Sequence, residues 1–307
     1  MSLHQISSLE DLRAVPSLVG GIAVGFCNVH FIHAAPLLKD LGCKTIWVNC
    51  MCWVGPEEVA YARKHGPFSA YVFQSDYQRS QLKERYRSFG ASEAQFHQIR
   101  GAFCSDEFPF SPLAHRSNEE FVIGRIARPD LDKWSSNLWP IYSAINYEPK
   151  RARVMAWCDR LTQKCGTPPD WVETLSTNEE TAQEFLRSLH CMFPINGGAK
   201  ENWPRSGLEA MAVGVPIVAQ NEWGWSEMVV HGETGFLGGS DEELAEYTAT
   251  LARDEDLRMR VVHAARKRLV DELANPDVLW RQWQRLFDSL TGTGSATECS
   301  QELQESS

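Results

Sequence analysis

The sequence predicts an α/β protein with parallel sheets, built as two successive units. Three observations carry that expectation. Short apolar runs rich in Val, Ile and aromatic residues alternate with helix-length stretches from one end of the chain to the other. At 307 residues, 43% hydrophobic and 23% charged, the chain is long enough for two ordinary domains, each with its own core. Charge is also divided unevenly. Residues 1–112 hold ten Lys/Arg and ten Asp/Glu, so the whole acidic excess of the net −10 charge lies from Leu113 onward.

In the first part, Val19–Cys27, Lys44–Val48 and Ala70–Phe73 read as strands, with Gln95–Arg100 a weaker fourth. Helices are expected between them at Ala34–Leu41, Glu57–Lys64 and Tyr77–Phe89. Phe108-Pro109-Phe110-Ser111-Pro112 then ends any regular element, because two prolines lie so close, and marks the expected linker. The second series has strands at Phe121–Ile126, Arg153–Trp157, Trp171–Leu175, Leu189–Pro194 and Pro216–Ala219. Its helices are Ser135–Ile145, Asp159–Cys165, Glu179–Ser188, Arg205–Val213, Asp241–Leu251 and Leu257–Leu273. A last helix, 277–287, carries Leu279, Trp280, Trp283, Leu286 and Phe287 on one face. The polar stretch 291–307 lacks periodicity and reads as a disordered tail.

Several classes of protein are disfavoured. No apolar run reaches 18 residues, so no transmembrane helix is expected. The N-terminus carries acids and lacks the basic start and apolar block of a secretory signal. Nine scattered cysteines, without CxxC pairs, suit reduced thiols in a cytoplasmic protein. Net negative charge argues against nucleic acid as a partner.

The most informative stretch is Glu201–Leu237, ENWPRSGLEAMAVGVPIVAQNEWGWSEMVVHGETGFL. Pro204 suits the first turn of a helix that runs through Leu208 and Met211 to a stop at Gly214. Glu201 precedes this helix and Glu209 lies on it. The free N–H groups of Arg205 and Ser206 would form an anion site at the helix N-terminus. A diphosphate resting there, with carboxylates on either side to accept from sugar hydroxyls, would suit a nucleotide sugar.

Two Glu separated by seven residues, then EAMAVGVPIVA and GETGFL, resemble the donor-site signature of family 4 (group 1) glycosyltransferases. The resemblance implies a GT-B-like fold: two Rossmann-like domains facing across a cleft, here 1–112 on the acceptor side and 113–290 on the donor side. It implies that helix 277–287 crosses back onto the N-terminal domain. Glu201 would contact the hydroxyls of the transferred sugar and Glu209 the ribose hydroxyls. Upstream, FVIGRI at Phe121–Ile126 followed by Lys133 resembles the element whose two cations, here Arg125 and Lys133, bind the donor diphosphate. Fixed cations stabilise a departing diphosphate electrostatically. The resemblance further implies retention of anomeric configuration.

The chain departs from that family in three places. The N-terminal domain is shortened, no glycine-rich loop follows the first strand, and Pro204 stands where many members have Gly. The acceptor side and the details of sugar recognition stay open at this point.

Other signals read as background. Asp130/Asp132 and Asp254/Asp256 match Asp-x-Asp, a metal-binding pattern, but sit in a loop and at a helix start. No required metal and no cofactor are expected, only the nucleotide sugar as co-substrate. His30 and His33 fall in the first strand–helix connection and read as structural or loop residues. Trp223 and Trp225 read as packing residues. Arg79, Lys83 and Arg87 share one helical face, which by default is solvated and at most touches a membrane weakly.

The reading is therefore a retaining, metal-independent glycosyltransferase using an unidentified glycan, lipid-linked or small-molecule acceptor. A non-catalytic nucleotide-sugar-binding protein and a GT-B-fold nucleotide-sugar epimerase remain as alternatives.

Overall fold

The computed structural model describes residues 9–292. The polypeptide divides into two compact units, one reaching to Arg100 and joined by the residues from Pro276 on, the other Gly101–Asn275.

The first unit holds β1 (Ile22–Phe26), α1 (Val29–Asp40), β2 (Lys44–Val48), α2 (Pro56–His65), β3 (Ala70–Phe73), α3 (Asp76–Arg87) and β4 (Phe96–Gln98). All four strands are parallel in the order β1-β2-β3-β4, with Val24 opposite Ile46 and Val48 opposite Val72. Each crossover steps the same way, so right-handed connections lay all three helices on one face. There Ile32, Ala35, Tyr61, Leu82 and Tyr86 pack on Trp47, Tyr71, Phe73 and Phe96.

The second unit holds β5 (Phe121–Ile126), α4 (Leu138–Ser143), β6 (Lys150–Met155), α5 (Asp159–Cys165), β7 (Val172–Leu175), α6 (Ala182–Arg187) and β8 (Cys191–Met192). It continues with α7 (Arg205–Val213), β9 (Val218–Gln220), α8 (Trp225–Met228), β10 (Phe236–Gly238), α9 (Asp241–Arg253) and α10 (Glu255–Arg268). Its main sheet is parallel in the order β7-β6-β5-β8, and β9 pairs with β10. Helices cover both faces. Leu138, Tyr142, Leu161 and Leu244 pack on Ile123 and Val154, whereas Phe185, Leu208 and Met211 pack on the side of Val122 and Met155.

The last helix, α11 (Pro276–Thr291), belongs to the first unit. Its Leu279 and Leu286 cover Ile46, Val48, Ala70 and Val72, the sheet face that α1–α3 leave bare.

Several expectations need adjusting. The units divide after Arg100 and not after residue 112. Residues 101–112 stay with the second unit because Phe103 joins its core with Phe108 packed against it, and the Ser111 N–H donates to the Val213 carbonyl at 2.9 Å. Helix α1 starts at Val29, well before Ala34, because Asn28 caps it by accepting from the His30 N–H at 2.9 Å. His30 and His33 therefore lie on a helix, where both are exposed. The first strand starts at Ile22, since Pro16–Leu18 forms a 3₁₀ turn ahead of it. Thr291 still belongs to α11, while the expected tail from 293 lies outside the described residues. No helix among the described residues is long and apolar enough to cross a membrane, and the described cysteines are thiols that form no disulfide.

Candidate functional site

In the second unit the strand order reverses at β5, which has β6 on one side and β8 on the other. The chain leaves two neighbouring parallel strands toward opposite faces there, so their following loops diverge and leave a crevice at the carboxyl ends. A cavity of about 320 Å³ lies at this point. Residues 125–129 and Lys133 line it from the end of β5 and the segment after it, Thr177 and Asn178 from the loop after β7, and Pro194 and Glu201 from the segment after β8. Helix α7 contributes Arg205 and Ser206 at its N-terminus.

Lys133 and Glu201 meet inside this space, with Nζ 2.7 Å from Oε1 and both side chains largely buried. Three backbone hydrogen bonds hold their segments. The Gly224 N–H donates to the Glu201 carbonyl at 2.8 Å, and the Asp132 carbonyl accepts from Gly197 and Ala199. Gly224 approaches so closely that a Cβ there would overlap the Asn202 carbonyl. That explains the glycine between Trp223 and Trp225. Trp225 is buried in the core and also lines the cavity, while Trp223 packs at the core's edge.

Arg125 lines the same cavity but is turned inward and only 1% exposed. Its guanidinium donates to the Ile195 and Lys133 carbonyls and to Asn196 Oδ1, and it stacks over the Trp134 ring at 4.8 Å. Burial pushes its pKa down to about 10, which leaves it cationic at neutral pH.

Arg205 and Ser206 occupy the first helical positions of α7, where N–H groups have no partner within the helix. Glu209 does not line the cavity. It lies one turn further on, mostly buried, accepting from Arg205 Nε at 3.1 Å, and burial holds its carboxyl above the usual range. The structure thus brings Arg125, Lys133, Glu201, Arg205 and Ser206 together and reaches Glu209 through Arg205.

The remaining sequence signals have local explanations. Asp130 pairs with Arg128 at 3.3 Å, and Asp254 caps α10 by accepting from the Leu257 N–H at 2.8 Å. On α3, Arg79 and Arg87 both pair with Glu93, so that basic face is partly neutralised. Sequence reasoning missed Arg128, Thr177, Asn178 and Gly224. Asn178 takes a left-handed conformation, φ 60°, a conformation that Asn tolerates better than most residues.

Residues 159–268 match the family described as Glycosyl transferases group 1. This segment is similar to a group 1 glycosyltransferase domain. The chain is 24% identical over 182 residues to the capsular polysaccharide biosynthesis glycosyltransferase CapM of Staphylococcus aureus, covering 56% of this chain and 47% of that protein. It is 30% identical over 111 residues to the N-acetyl-alpha-D-glucosaminyl L-malate synthase of Bacillus anthracis, covering 36% of this chain and 28% of the other. The chain thus spans less than half the length of these curated relatives. Among solved structures, Anabaena HepE in complex with UDP-glucose superposes with a TM-score of 0.66 at 17% identity, over 86% of this chain and 78% of that one. TarM superposes with a TM-score of 0.73 at 13% identity, over 90% of this chain and 57% of that one. The fold that these likenesses show is accordingly GT-B.

Proposed function

We propose that this chain transfers a sugar from a nucleotide-sugar donor to an acceptor, with retention of configuration and without a required metal. The observation that carries the reading is the Lys133–Glu201 pair, set beside the N-terminus of α7 at the switch point of the sheet. Glu201 positions the transferred sugar by accepting from its hydroxyls. Lys133, together with the free N–H groups of Arg205 and Ser206, offsets the negative charge that grows on the departing diphosphate. Glu209 accepts from the ribose hydroxyls once Arg205 turns from it toward the ligand. Arg125 supports the same wall.

The test is a screen of UDP-, GDP- and ADP-sugars by thermal shift, followed by nucleoside diphosphate release in excess EDTA with candidate glycan, lipid-linked and small-molecule acceptors. UDP-glucose, solved with HepE, is the first probe. Release that an acceptor accelerates, and that Glu201→Gln abolishes in a folded chain, is the expected result. Donor binding without release by any acceptor would mark a binding protein, and conversion of the donor sugar without release would mark an epimerase. Complete loss in EDTA, restored by magnesium or manganese, would overturn the cation-based site.

A further inference from the structure

Four cations line the cavity, Arg125, Arg128, Lys133 and Arg205, and they are not equivalent. Arg125 has committed both terminal nitrogens of its guanidinium to the Ile195 and Lys133 carbonyls and Asn196. Its Nε is buried without a hydrogen-bond partner. To reach a phosphate it would abandon contacts that fix two segments of the wall, in a setting where an orphaned carbonyl is costly. Arg128 is the reverse case. It stands just beyond the end of β5, its side chain is 69% exposed, and its contact is a 3.3 Å pair between Nε and Asp130. An exposed pair of this kind is worth less than about 1 kcal/mol, so a phosphate displaces it readily. Across the same cavity, Arg205 is 68% exposed, at the helix end whose dipole favours anions.

We infer that Arg128 is the arginine that contacts the donor diphosphate, opposite Arg205, and that Arg125 is a positioning residue that holds Lys133 and Ile195 in place. The inference rests on the reading of the cavity as a nucleotide-sugar site. Guanidinium suits the task, since its planar fork meets two phosphate oxygens at once. The arrangement separates two duties that one arginine cannot perform together. Arg125 keeps the wall rigid, and Arg128 moves to the ligand.

The experiment compares binding of UDP, GDP and ADP with binding of the matching nucleosides, by calorimetry on the full chain. Arg128→Ala is expected to keep the wild-type melting temperature and nucleoside affinity, while diphosphate affinity falls about tenfold or more, as for loss of a charged hydrogen bond. Arg125→Ala is expected to lower the melting temperature and, in a Lys133→Ala background, to weaken nucleoside and diphosphate in equal proportion, the mark of a displaced wall. Unchanged diphosphate affinity in Arg128→Ala overturns the inference while leaving the proposed function standing. So does a folded chain with both Arg125→Ala and Lys133→Ala that, relative to Lys133→Ala, loses diphosphate affinity alone. If the wild-type chain binds none of the three diphosphates, the proposed function and this inference fall together.

Discussion

Each unit is built on four parallel strands, yet the two sheets are wound differently and the consequences diverge. In the first unit the order β1-β2-β3-β4 never reverses, so α1–α3 share one face and the other must be covered from elsewhere in the chain. Helix α11 does this, although it follows the whole second unit in sequence. In the second unit the order reverses at β5, local helices cover both faces, and the reversal opens a crevice into which Lys133 and Glu201 project. One winding creates a need for stability and the other creates a site.

The largest effect should follow from uncovering the first sheet. Leu279→Ala and Leu286→Ala each remove a buried contact and should each cost about 2–5 kcal/mol, confined to the first unit. Hydrogen exchange reads this directly. Amides of β2 and β3 should exchange faster in the variants, and those of β5 and β6 should keep their protection. Equal loss in both units would break the comparison, because α11 would then stabilise more than the face it covers.

The two units should also respond oppositely to pH. In the first, burial outweighs the Tyr86 and Gly55 hydrogen bonds and pushes the Glu58 carboxyl up to about 7, with Cys27 adding a smaller rise. Between the ordinary 4.5 and 7 the folded chain holds a proton that the unfolded chain has lost, so stability falls as pH rises through that window. In the second, burial, with Arg258 and His115 nearby, pushes His190 down to about 4, against a smaller opposing effect of Glu255 and the Ala114 carbonyl. There the unfolded chain takes up a proton that the folded one refuses, and stability is lost as pH falls from 6.5 toward 4. Each effect is on the order of 3 kcal/mol. Exchange measured from pH 5 to 8 should show the first unit weakening upward and the second weakening downward. A common direction would mean that other groups dominate.

Much of this contrast was legible in the sequence, and its limits have physical causes. Lys44–Val48, Ala70–Phe73, Phe121–Ile126, Asp159–Cys165 and Arg205–Val213 coincide with observed elements, because buried strands and a proline-started helix leave local marks. The three-residue β10 left none, since Phe236–Gly238 is too short for periodicity. Strand order was unreadable, because every central parallel strand shows the same apolar run. Glu201 and Lys133 were legible as candidates, but their contact spans 68 positions. The state of Arg125 was not. Its partners Ile195 and Asn196 lie about seventy residues away, and an arginine near the end of a strand reads alike whether its guanidinium is free or committed.

A smaller effect tests how far the site extends along α7. Glu209→Ala removes a carboxylate that burial holds uncomfortably, so the fold should stay intact or gain slightly. If the carboxylate accepts from ribose, nucleoside affinity should fall by about 1.5–3 kcal/mol. Calorimetry with uridine, guanosine and adenosine checks this, and unchanged affinity in a folded variant would confine the site to the mouth of the crevice.

The smallest effect has a sign that decides between two chemistries. Asp130 holds the exposed guanidinium of Arg128 at 3.3 Å and thereby competes with any phosphate for it. Asp130→Asn should release that guanidinium and tighten nucleoside diphosphate by less than about 1 kcal/mol, while leaving nucleoside affinity alone. Raising the salt should shrink the gain, because an exposed pair is screened. A metal-bridged diphosphate predicts the contrary. Removing Asp130 would then remove a ligand, and diphosphate affinity in magnesium or manganese would fall steeply toward its value in EDTA. Titrating the variant with UDP in EDTA and in each metal separates the cases. A gain of similar size in all three conditions fits the cation-lined crevice, and a metal-dependent loss would transfer the phosphate-binding role to the Asp130–Asp132 pair.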